Sequence, residues 1–285
     1  MRKNQTSLTA LGIAVMRAVE SEKPVDKRIC YDPYARQFVP TWMYLIFGFF
    51  IKSGYAERRG PGVNGFLAAR DRYIDDVLTS FLEEDLKQLV ILGAGYDSRP
   101  YRFDLTGQVK TFEVDHPTTQ ADKLKKVQII FGNVPEHVSY VAIDFNTQTL
   151  EERLLASGYD PKLKTLFIWQ GVSMYLTGEA VDATLNFVAK HSGQGSAIVF
   201  DYLYQTVLDG IQRQKEVVNM RRYRFMTGEG LIFGISEGTV TTFLNERGFR
   251  QVIDVNVDDL KAAYFTGQNA GRAVVGGYGI VIGRV

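Results

Sequence analysis

The sequence predicts a doubly wound α/β fold with a mostly parallel seven-stranded sheet and an antiparallel last strand. Two patterns lead to this prediction. Short runs rich in Val, Ile and Phe alternate along the middle of the chain with helix-like stretches, which is typical of a parallel sheet wound by right-handed crossovers. Near the C terminus, two strand-like runs follow each other with room for little more than a short helix between them, so the last strand can return antiparallel.

Seven apolar runs mark the strands in order. They are QLVILG at 88–93, VKTFEVD at 109–115, VSYVAID at 138–144, KTLFIWQG at 164–171, SAIVFDY at 196–202, RQVIDVNV at 250–257 and GGYGIVIGRV at 276–285. The intervening stretches HPTTQADKLKKVQII and GEAVDATLNFVAKHSG are helix-like, and the second closes on a glycine as helix C termini often do.

The parts of the chain outside this alternation are predicted to be helical. Residues 1–65 carry helix candidates and end in the turn-rich RRGPGVNG, so we expect an N-terminal helical cap that does not fold independently, followed by the main domain at 66–285. A polar, arginine-rich helical insert is expected at about 205–233, after strand five. The apolar run at 42–51 is about half the roughly 20 residues needed to cross a bilayer. It predicts a buried or interfacial helix, for which plain core is favoured over membrane contact and a lid over an apolar substrate site also fits.

Composition limits the class of partner. Lys and Arg total 33 against 32 for Asp and Glu, so no overall basic field attracts nucleic acid or an anionic membrane, although a local patch is left open. Cys30 is the single cysteine, which excludes an intrachain disulfide framework and fits a reducing cytoplasm. The three histidines form no pair at metal-ligand spacing. We therefore expect a cytoplasmic protein without a metal, a nucleic acid partner or stable membrane insertion.

The stretch LVILGAGYDSRPYRFD at 89–104 leaves the first strand through Gly93 and Gly95. Ligands of open parallel sheets bind beyond the carboxyl ends of the strands, where a glycine lets the backbone approach them closely. Asp115 ends the next strand, 20 residues after Gly95. A carboxylate there can bind the two ribose hydroxyls of either NAD or S-adenosylmethionine. Ser98 takes the place of the third glycine of the dinucleotide fingerprint.

Five stretches in order resemble the leucine carboxyl methyltransferase family, and more closely its bacterial branch of S-adenosylmethionine-dependent O-methyltransferases. They are TALGIAVMRAVES, AARDRYIDD, LVILGAGYDSRPYRF, FEVDHP and WQGVSMYLT. The resemblance runs from about residue 6 to the C terminus. It implies a Rossmann-like class I methyltransferase fold with S-adenosyl-L-methionine as cofactor and S-adenosyl-L-homocysteine as product. It also implies direct in-line transfer to a carboxylate or hydroxyl. The aromatic content of 12% and the apolar cap favour a small, hydrophobic acceptor, with the protein C-terminal carboxylate methylated by the family's best-known members as the alternative.

The resemblance implies roles for individual residues. Arg70 is expected to bind the methionine carboxylate of the cofactor through its forked guanidinium. Asp115 is expected to bind the ribose, and Asp144 with Phe145 the adenine. Gln170 stands where many relatives carry a glutamate that faces the cofactor's ammonium, so the charge-assisted part of that contact is lost. The implied cofactor-binding residues are Arg70, Gly93, Ala94, Gly95, Asp115, His116, Asp144, Phe145 and Gln170.

A smaller set of residues is expected to position the acceptor. Tyr175 and Tyr202, at the carboxyl ends of strands four and five, are the catalytic candidates, in a positioning role. Arg99 either meets a substrate carboxylate or pairs with Asp97. Arg222, in the insert, either reaches an anionic substrate or lies on a solvated helix face. A carboxylate acceptor needs no base at neutral pH, whereas a phenol or enol is helped by one.

Two other functional classes remain open from the sequence. An NAD-dependent oxidoreductase would share the glycine loop and Asp115, but the third glycine is missing and Arg70 has a natural partner only in an amino-acid-like ligand. A noncatalytic S-adenosylmethionine-binding protein is the other alternative, which the neutral side chain of Gln170 favours.

Overall fold

A computed structural model describes residues 8–144, 147–210 and 230–285. Its strands are β1 Gln88–Leu92, β2 Lys110–Asp115, β3 Val138–Ala142, β4 Thr165–Trp169, β5 Ala197–Leu203, β6 Gln251–Val255 and β7 Tyr278–Arg284. They form one sheet in the order β3-β2-β1-β4-β5-β7-β6. All neighbours are parallel except β7, which is antiparallel to both β5 and β6. The predicted seven-stranded sheet with an antiparallel last strand is confirmed.

Helices surround the sheet. They are α1 Leu8–Ser21, α2 Ala35–Phe38, α3 Thr41–Met43, α4 Phe49–Lys52, α5 Tyr55–Arg59, α6 Val63–Glu83, α7 Arg99–Arg102, α8 Pro117–Phe131, α9 Leu150–Ala156, α10 Gly178–Lys190, α11 Gln205–Leu208, α12 Val240–Asn245 and α13 Val257–Tyr264. A π-helical turn, Tyr44–Gly48, joins α3 to α4, and 3-10 turns occur at Ser173–Tyr175 and Gly267–Asn269.

The central strands are apolar on both faces because both faces are covered. Every residue of β1, β4 and β5 is buried, as expected for parallel strands between two helical layers. Alternate side chains of each strand enter different cores. One core contains Val90 with side chains of α9, α10 and α12, and the other contains Ile91 with side chains of α6 and α13. The carboxyl ends of the parallel strands therefore meet at one edge, where the glycine loop begins.

The N-terminal helices pack over the glycine loop. A third core joins Ala14 and Ala18 of α1 to Phe38 and to Tyr96 of the loop. The expected division at residue 65 falls inside α6, which runs without interruption from Val63 to Glu83. The division therefore does not coincide with a break in secondary structure. Of the expected insert at about 205–233, the structure describes α11 and residues 230–233, and the remainder lies outside the described residues.

The apolar run at 42–51 is helical, but the prediction that it forms core was wrong. Six of its large apolar side chains are exposed, namely Trp42, Leu45, Ile46, Phe47, Phe49 and Phe50. Met43 and Tyr44 face the protein and are buried. Apolar composition predicts that a segment avoids water but does not say what covers it. Within the described ranges, no helix has both the length and the apolar character needed to span a bilayer.

Candidate functional site

The glycine loop is a tight turn in which two positions, Gly93 and Gly95, disfavour a side chain. Gly93 and Gly95 both have positive φ, +69° and +48°, a conformation that favours glycine. A Cβ atom on Gly93 would lie 2.4 Å from Cγ2 of Val172. The amides of Gly93 and Ala94 donate to the Val114 carbonyl at 2.8 and 3.0 Å. The loop thus continues directly from β1 and runs beside the end of β2.

Asp115 lies at the end of β2, beside this loop. Its Oδ2 accepts from the Gly95 amide at 2.5 Å, and its Oδ1 accepts from the His116 amide at 2.6 Å. Burial raises the pKa of Asp115 above its ordinary value, and these two amide bonds act against that shift. Because each carboxylate oxygen has a second lone pair, both oxygens can still accept from a ligand.

The end of β3 lies next to Asp115. The Ile143 amide donates to the Asp115 carbonyl at 3.0 Å, so Asp144 follows at the same edge of the sheet. Phe145, the expected second adenine contact, lies outside the described residues. His116 has a structural contact, because its Nδ1 accepts from the Thr118 amide at 3.3 Å and caps α8.

Arg70 projects from α6 to the end of β5. It is 4% exposed, and its Nη1 donates to Oδ2 of Asp201 at 2.6 Å. Burial opposes the guanidinium charge, but Asp201 and Asp71 outweigh that effect and raise the pKa of Arg70. Nε of Arg70 is buried and has no hydrogen-bond partner. Asp201 also accepts from the Gly171 amide at 2.5 Å, which brings the loop after β4 against Arg70.

Gln170, just after β4, is paired with an acid that the sequence reasoning did not select. Its Nε2 donates to Oδ1 of Asp71 at 2.8 Å. Oε1 of Gln170 and Oδ2 of Asp71 are both buried without a hydrogen-bond partner. Asp71 is only 2% exposed, so bulk water does not reach Oδ2 of Asp71 from the protein surface.

Three unpartnered atoms therefore lie on neighbouring residues: an N–H donor on Arg70 and two oxygen acceptors, on Asp71 and Gln170. Arg70 and Asp71 are consecutive on α6, and Gln170 bonds to Asp71. Buried polar groups in native proteins are almost always hydrogen-bonded, so each exception needs an explanation, such as a functional role or a bound water or ion. An α-amino acid group offers the complementary set, a carboxylate that accepts and an ammonium that donates. The residues present therefore fit an amino-acid-like ligand end.

Arg99 does not occupy the position expected of a substrate ligand. It is fully buried, and its Nε donates to Oδ1 of Asp75 at 2.8 Å. Its Nη1 pairs with Asp97, and its Nη2 lies 3.6 Å from Oδ1 of Asp71. Burial opposes the charge, but these three acids raise the pKa of Arg99. The alternative pairing with Asp97 is the one observed, and Arg99 is corrected to a structural residue.

The two tyrosine candidates differ in position. Tyr202 is fully buried, and its hydroxyl donates to Oδ1 of Asp254 at 2.8 Å, so it is corrected from a catalytic candidate to a core residue of the β5–β7–β6 region. Tyr175 ends a 3-10 turn after β4 and is partly exposed, so it stays a candidate. Arg222 lies outside the described residues.

Arg17, which was not among the residues predicted from the sequence, joins α1 to the glycine loop. Its Nη2 bonds to the carbonyl oxygen of Tyr96, and its Nε lies 3.1 Å from Oδ2 of Asp32. The signal was available, because Arg17 shares a helical face with the apolar residues Ala14 and Ala18. A charged residue on an apolar helix face indicates a buried partner.

A cavity of about 780 Å³ lies between α1 and α6. Arg17 and Asp71 are in its wall, together with Cys30, residues from 51 to 57 and residues 271–273. Burial raises the pKa of Cys30 well above its ordinary value, so this thiol stays protonated near neutral pH. Through Asp71, the cavity borders the region of the unpartnered atoms.

Comparisons with known proteins give one consistent picture. The leucine carboxyl methyltransferase family profile matches residues 10–189. YktD of Bacillus subtilis, provisionally named an S-adenosyl-L-methionine-dependent methyltransferase, is 30% identical over 288 residues, covering 93% of each chain. A protein of Rhodococcus jostii with the same provisional name is 31% identical over 203 residues, covering 70% of this chain and 66% of its own.

Two solved structures share the fold. The crystal structure of a DUF574 family protein from Streptomyces avermitilis superimposes with a TM-score of 0.56 at 12% identity and covers 99% of both chains. The CurJ carbon methyltransferase superimposes with a TM-score of 0.51 at 13% identity, covering 96% of this chain and 66% of its own.

Proposed function

The chain belongs to the leucine carboxyl methyltransferase family, and on this premise we propose that it transfers the methyl group of S-adenosyl-L-methionine to an oxygen of a small, hydrophobic acceptor. Dependence on S-adenosyl-L-methionine follows from the family and from the names of the relatives. We infer in addition that the acceptor atom is an oxygen and that the residues described below hold the cofactor and the acceptor.

The observation that carries the proposal is the set of three unpartnered atoms. The methionine carboxylate would accept from Nε of Arg70, and the ammonium would donate to Oδ2 of Asp71 and Oε1 of Gln170. Asp71 thereby supplies the negative charge that Gln170 lacks. A hydrogen bond to a charged group contributes about 1.5–3 kcal/mol, so leaving these groups unpaired would be costly.

The nucleoside part would lie along the ends of β1, β2 and β3. The second lone pairs of Asp115 would accept from the ribose hydroxyls, and Asp144, just beyond β3, would accept from the exocyclic amine of adenine. Gly93 and Gly95 have positive φ, a conformation that larger residues rarely adopt, and would let the backbone approach the chain that links ribose to methionine.

The protein's part in the reaction is mainly positioning. When bound, S-adenosyl-L-methionine supplies an electrophilic methyl group, which needs a nucleophilic oxygen in line with the departing sulfur. Arg70 and Asp71 would fix the amino acid end, and Asp115 the ribose, so that the methyl group faces the acceptor. Tyr175 would orient the acceptor oxygen. A carboxylate acceptor is already ionised at neutral pH and needs no base.

Binding and transfer test the proposal separately. Calorimetry should show binding of S-adenosyl-L-homocysteine and no binding of NADH; the reverse result would favour an oxidoreductase. Labelled methyl from S-adenosyl-L-methionine should then enter a small molecule in fractionated cell extract. Mild alkali releases methanol from a methyl ester but leaves methyl ethers and methylamines intact. Label on nitrogen or carbon would refute O-methylation, and binding without any transfer would indicate a noncatalytic binding protein.

A further inference from the structure

A patch of large apolar side chains stands exposed on the helical run 41–59. We call it the apolar ridge; its members are Trp42, Leu45, Ile46, Phe47, Phe49, Phe50 and Tyr55. Their exposures run from 40% for Phe50 and Tyr55 to 66% for Phe49. Single exposed apolar residues are ordinary, but a contiguous group marks an interaction surface.

The backbone presents this ridge outward. The π-helical turn Tyr44–Gly48 leaves Leu45, Ile46 and Phe47 exposed in succession. On the opposite side the run is fixed to the protein: the Tyr44 hydroxyl bonds to Glu22, and Nζ of Lys52 lies 2.5 Å from Oε2 of Glu22. The ridge is therefore an anchored surface with its apolar side to solvent.

Positive charge flanks the ridge. Residues 41–60 contain Lys52, Arg58 and Arg59 but a single acid, Glu57. Since Lys52 pairs with Glu22 on the opposite side, Arg58 and Arg59 supply the charge beside the ridge. The Glu57 carboxylate is turned toward its own backbone, where it accepts from the Gly62 amide at 2.6 Å. The guanidinium of Arg59 lies 5.2 Å from the ring centroid of Tyr55, so cation and aromatic ring are adjacent.

We propose that the apolar ridge docks this protein on the surface of an anionic lipid bilayer. Trp and Tyr favour the interface between headgroups and acyl chains, and Lys and Arg beside them are attracted to anionic headgroups. The composition is thus that of a peripheral anchor, which lies on the bilayer without crossing it.

Charge favours a lipid surface over a second copy of this chain. A symmetric dimer through the ridge would place the same patch on both sides of the interface. Arg58 and Arg59 of both copies would then be gathered at the edge of one interface, and this concentration of positive charge is unfavourable. A surface rich in phosphatidylserine offers the complementary charge instead.

The ridge adjoins the cavity between α1 and α6. Ile51, Lys52, Gly54 and Glu57, in the same helical run, are part of the cavity wall. A hydrophobic acceptor dissolved in the bilayer would therefore reach the cavity from the docked face. This consequence rests on the proposed function, whereas docking itself does not, so vesicle binding tests the ridge independently of methyl transfer.

The wild-type chain carries its own probe. Of its two tryptophans, Trp42 is 62% exposed and Trp169 is 2% exposed. Vesicles of phosphatidylcholine with phosphatidylserine should shift the fluorescence of Trp42 to the blue, and added salt should weaken the effect. Vesicles of phosphatidylcholine alone should act more weakly. No shift with the anionic vesicles would overturn the proposal, whatever any variant does.

A charged double variant tests the ridge directly. Leu45→Glu with Phe49→Glu should lower co-sedimentation with the anionic vesicles by at least about tenfold, because two apolar contacts are replaced by repelled charges. The control is Ile129→Glu, in α8, where the side chain is 82% exposed. It should bind like wild type. If the double variant bound the vesicles as well as wild type does, docking would be refuted. Docking would also be refuted if wild type formed a dimer that the double variant does not form, while neither protein bound vesicles.

Discussion

Arg70 and Asp201 form a buried ion pair in which Nη1 of the arginine lies 2.6 Å from Oδ2 of the aspartate. The pair joins α6 to the end of β5. Because the same aspartate also accepts from the Gly171 amide, it holds the loop after β4 in place. The ion pair orients the guanidinium while leaving its Nε without a partner. Asp201 is thus a positioning residue for Arg70.

Arg70→Lys should weaken cofactor binding while keeping a positive charge beside Asp201. Lysine cannot supply a forked pair of donors, so the contact from Nε to the methionine carboxylate is lost. We expect the affinity for S-adenosyl-L-homocysteine, measured by calorimetry, to fall roughly 10- to 100-fold. Arg72→Lys is the matched control, because Arg72 is exposed on the same helix and pairs with Asp76. Unchanged affinity in a folded Arg70→Lys variant would refute the role.

The negative charge that Asp71 offers the cofactor's ammonium should be replaceable by a glutamate at position 170. Asp71→Asn should weaken binding of S-adenosyl-L-homocysteine, because the ammonium loses its anionic partner. Adding Gln170→Glu should restore much of the loss. Gln170→Glu alone places two carboxylates where the present contact is 2.8 Å, so it should destabilise the fold.

The exchange is measured as a double-mutant cycle. An analogue of S-adenosyl-L-homocysteine without the amino group provides the control ligand, since Asp71→Asn should hardly change its affinity. Thermal unfolding separates binding from stability, because Asp71 also lies 3.6 Å from Arg99. Strictly additive effects would show that the two side chains do not serve one ligand group.

The parts of this protein that the sequence predicted depend on local patterns. Apolar runs predicted all seven strands. Gly93 and Asp115 could be selected because the geometry of parallel strands puts their ends at one edge. The sequence offered Arg99 only its neighbour Asp97 as a partner, because its other acidic partners, Asp75 and Asp71, are 24 and 28 residues away in the chain and on another helix.

The predictions failed for residues whose roles depend on partners that are distant in the sequence. Tyr202 comes at the carboxyl end of its strand, as a catalytic residue would, but its hydroxyl meets Asp254, 52 residues later. Asp71 lay inside a recognised motif, and its importance appears only when the fold brings it to Gln170. The sequence shows that the run at 42–51 is apolar. Which of its side chains are exposed depends on how the run packs against the rest of the protein.

Arg99→Gln should destabilise the protein and leave the acceptor KM of the folded enzyme nearly unchanged. Removing the guanidinium leaves Asp75 and Asp97 as buried acids with fewer partners, which costs about 3–5 kcal/mol of unfolding free energy. Arg247→Gln is the surface control, since its pair with Asp182 is partly exposed and contributes about 0–1 kcal/mol. Denaturant unfolding gives both values. A large rise in the acceptor KM without loss of stability would instead return Arg99 to the substrate site.

Cofactor affinity should depend on pH through Asp115. Burial raises the pKa of this carboxyl above the ordinary 3.8, so the folded state keeps its proton to higher pH than the unfolded state does. Its contribution to stability is therefore present below 3.8 and is lost as pH rises through the raised pKa. Ribose hydroxyls need the ionised form, so affinity for S-adenosyl-L-homocysteine should rise with pH over the same window and then level off.

The Asp115→Asn variant tests whether Asp115, and not another titrating group, causes the pH dependence of cofactor affinity. The amide oxygen can accept one ribose hydroxyl, but the amide nitrogen cannot accept the second. The variant should bind S-adenosyl-L-homocysteine more weakly and without the rise, in calorimetry from about pH 4 to about pH 7. Asp76→Asn, at a side chain 43% exposed, should keep the wild-type profile. If Asp115→Asn also kept it, the titrating group would be another residue and the ribose assignment would lose its support.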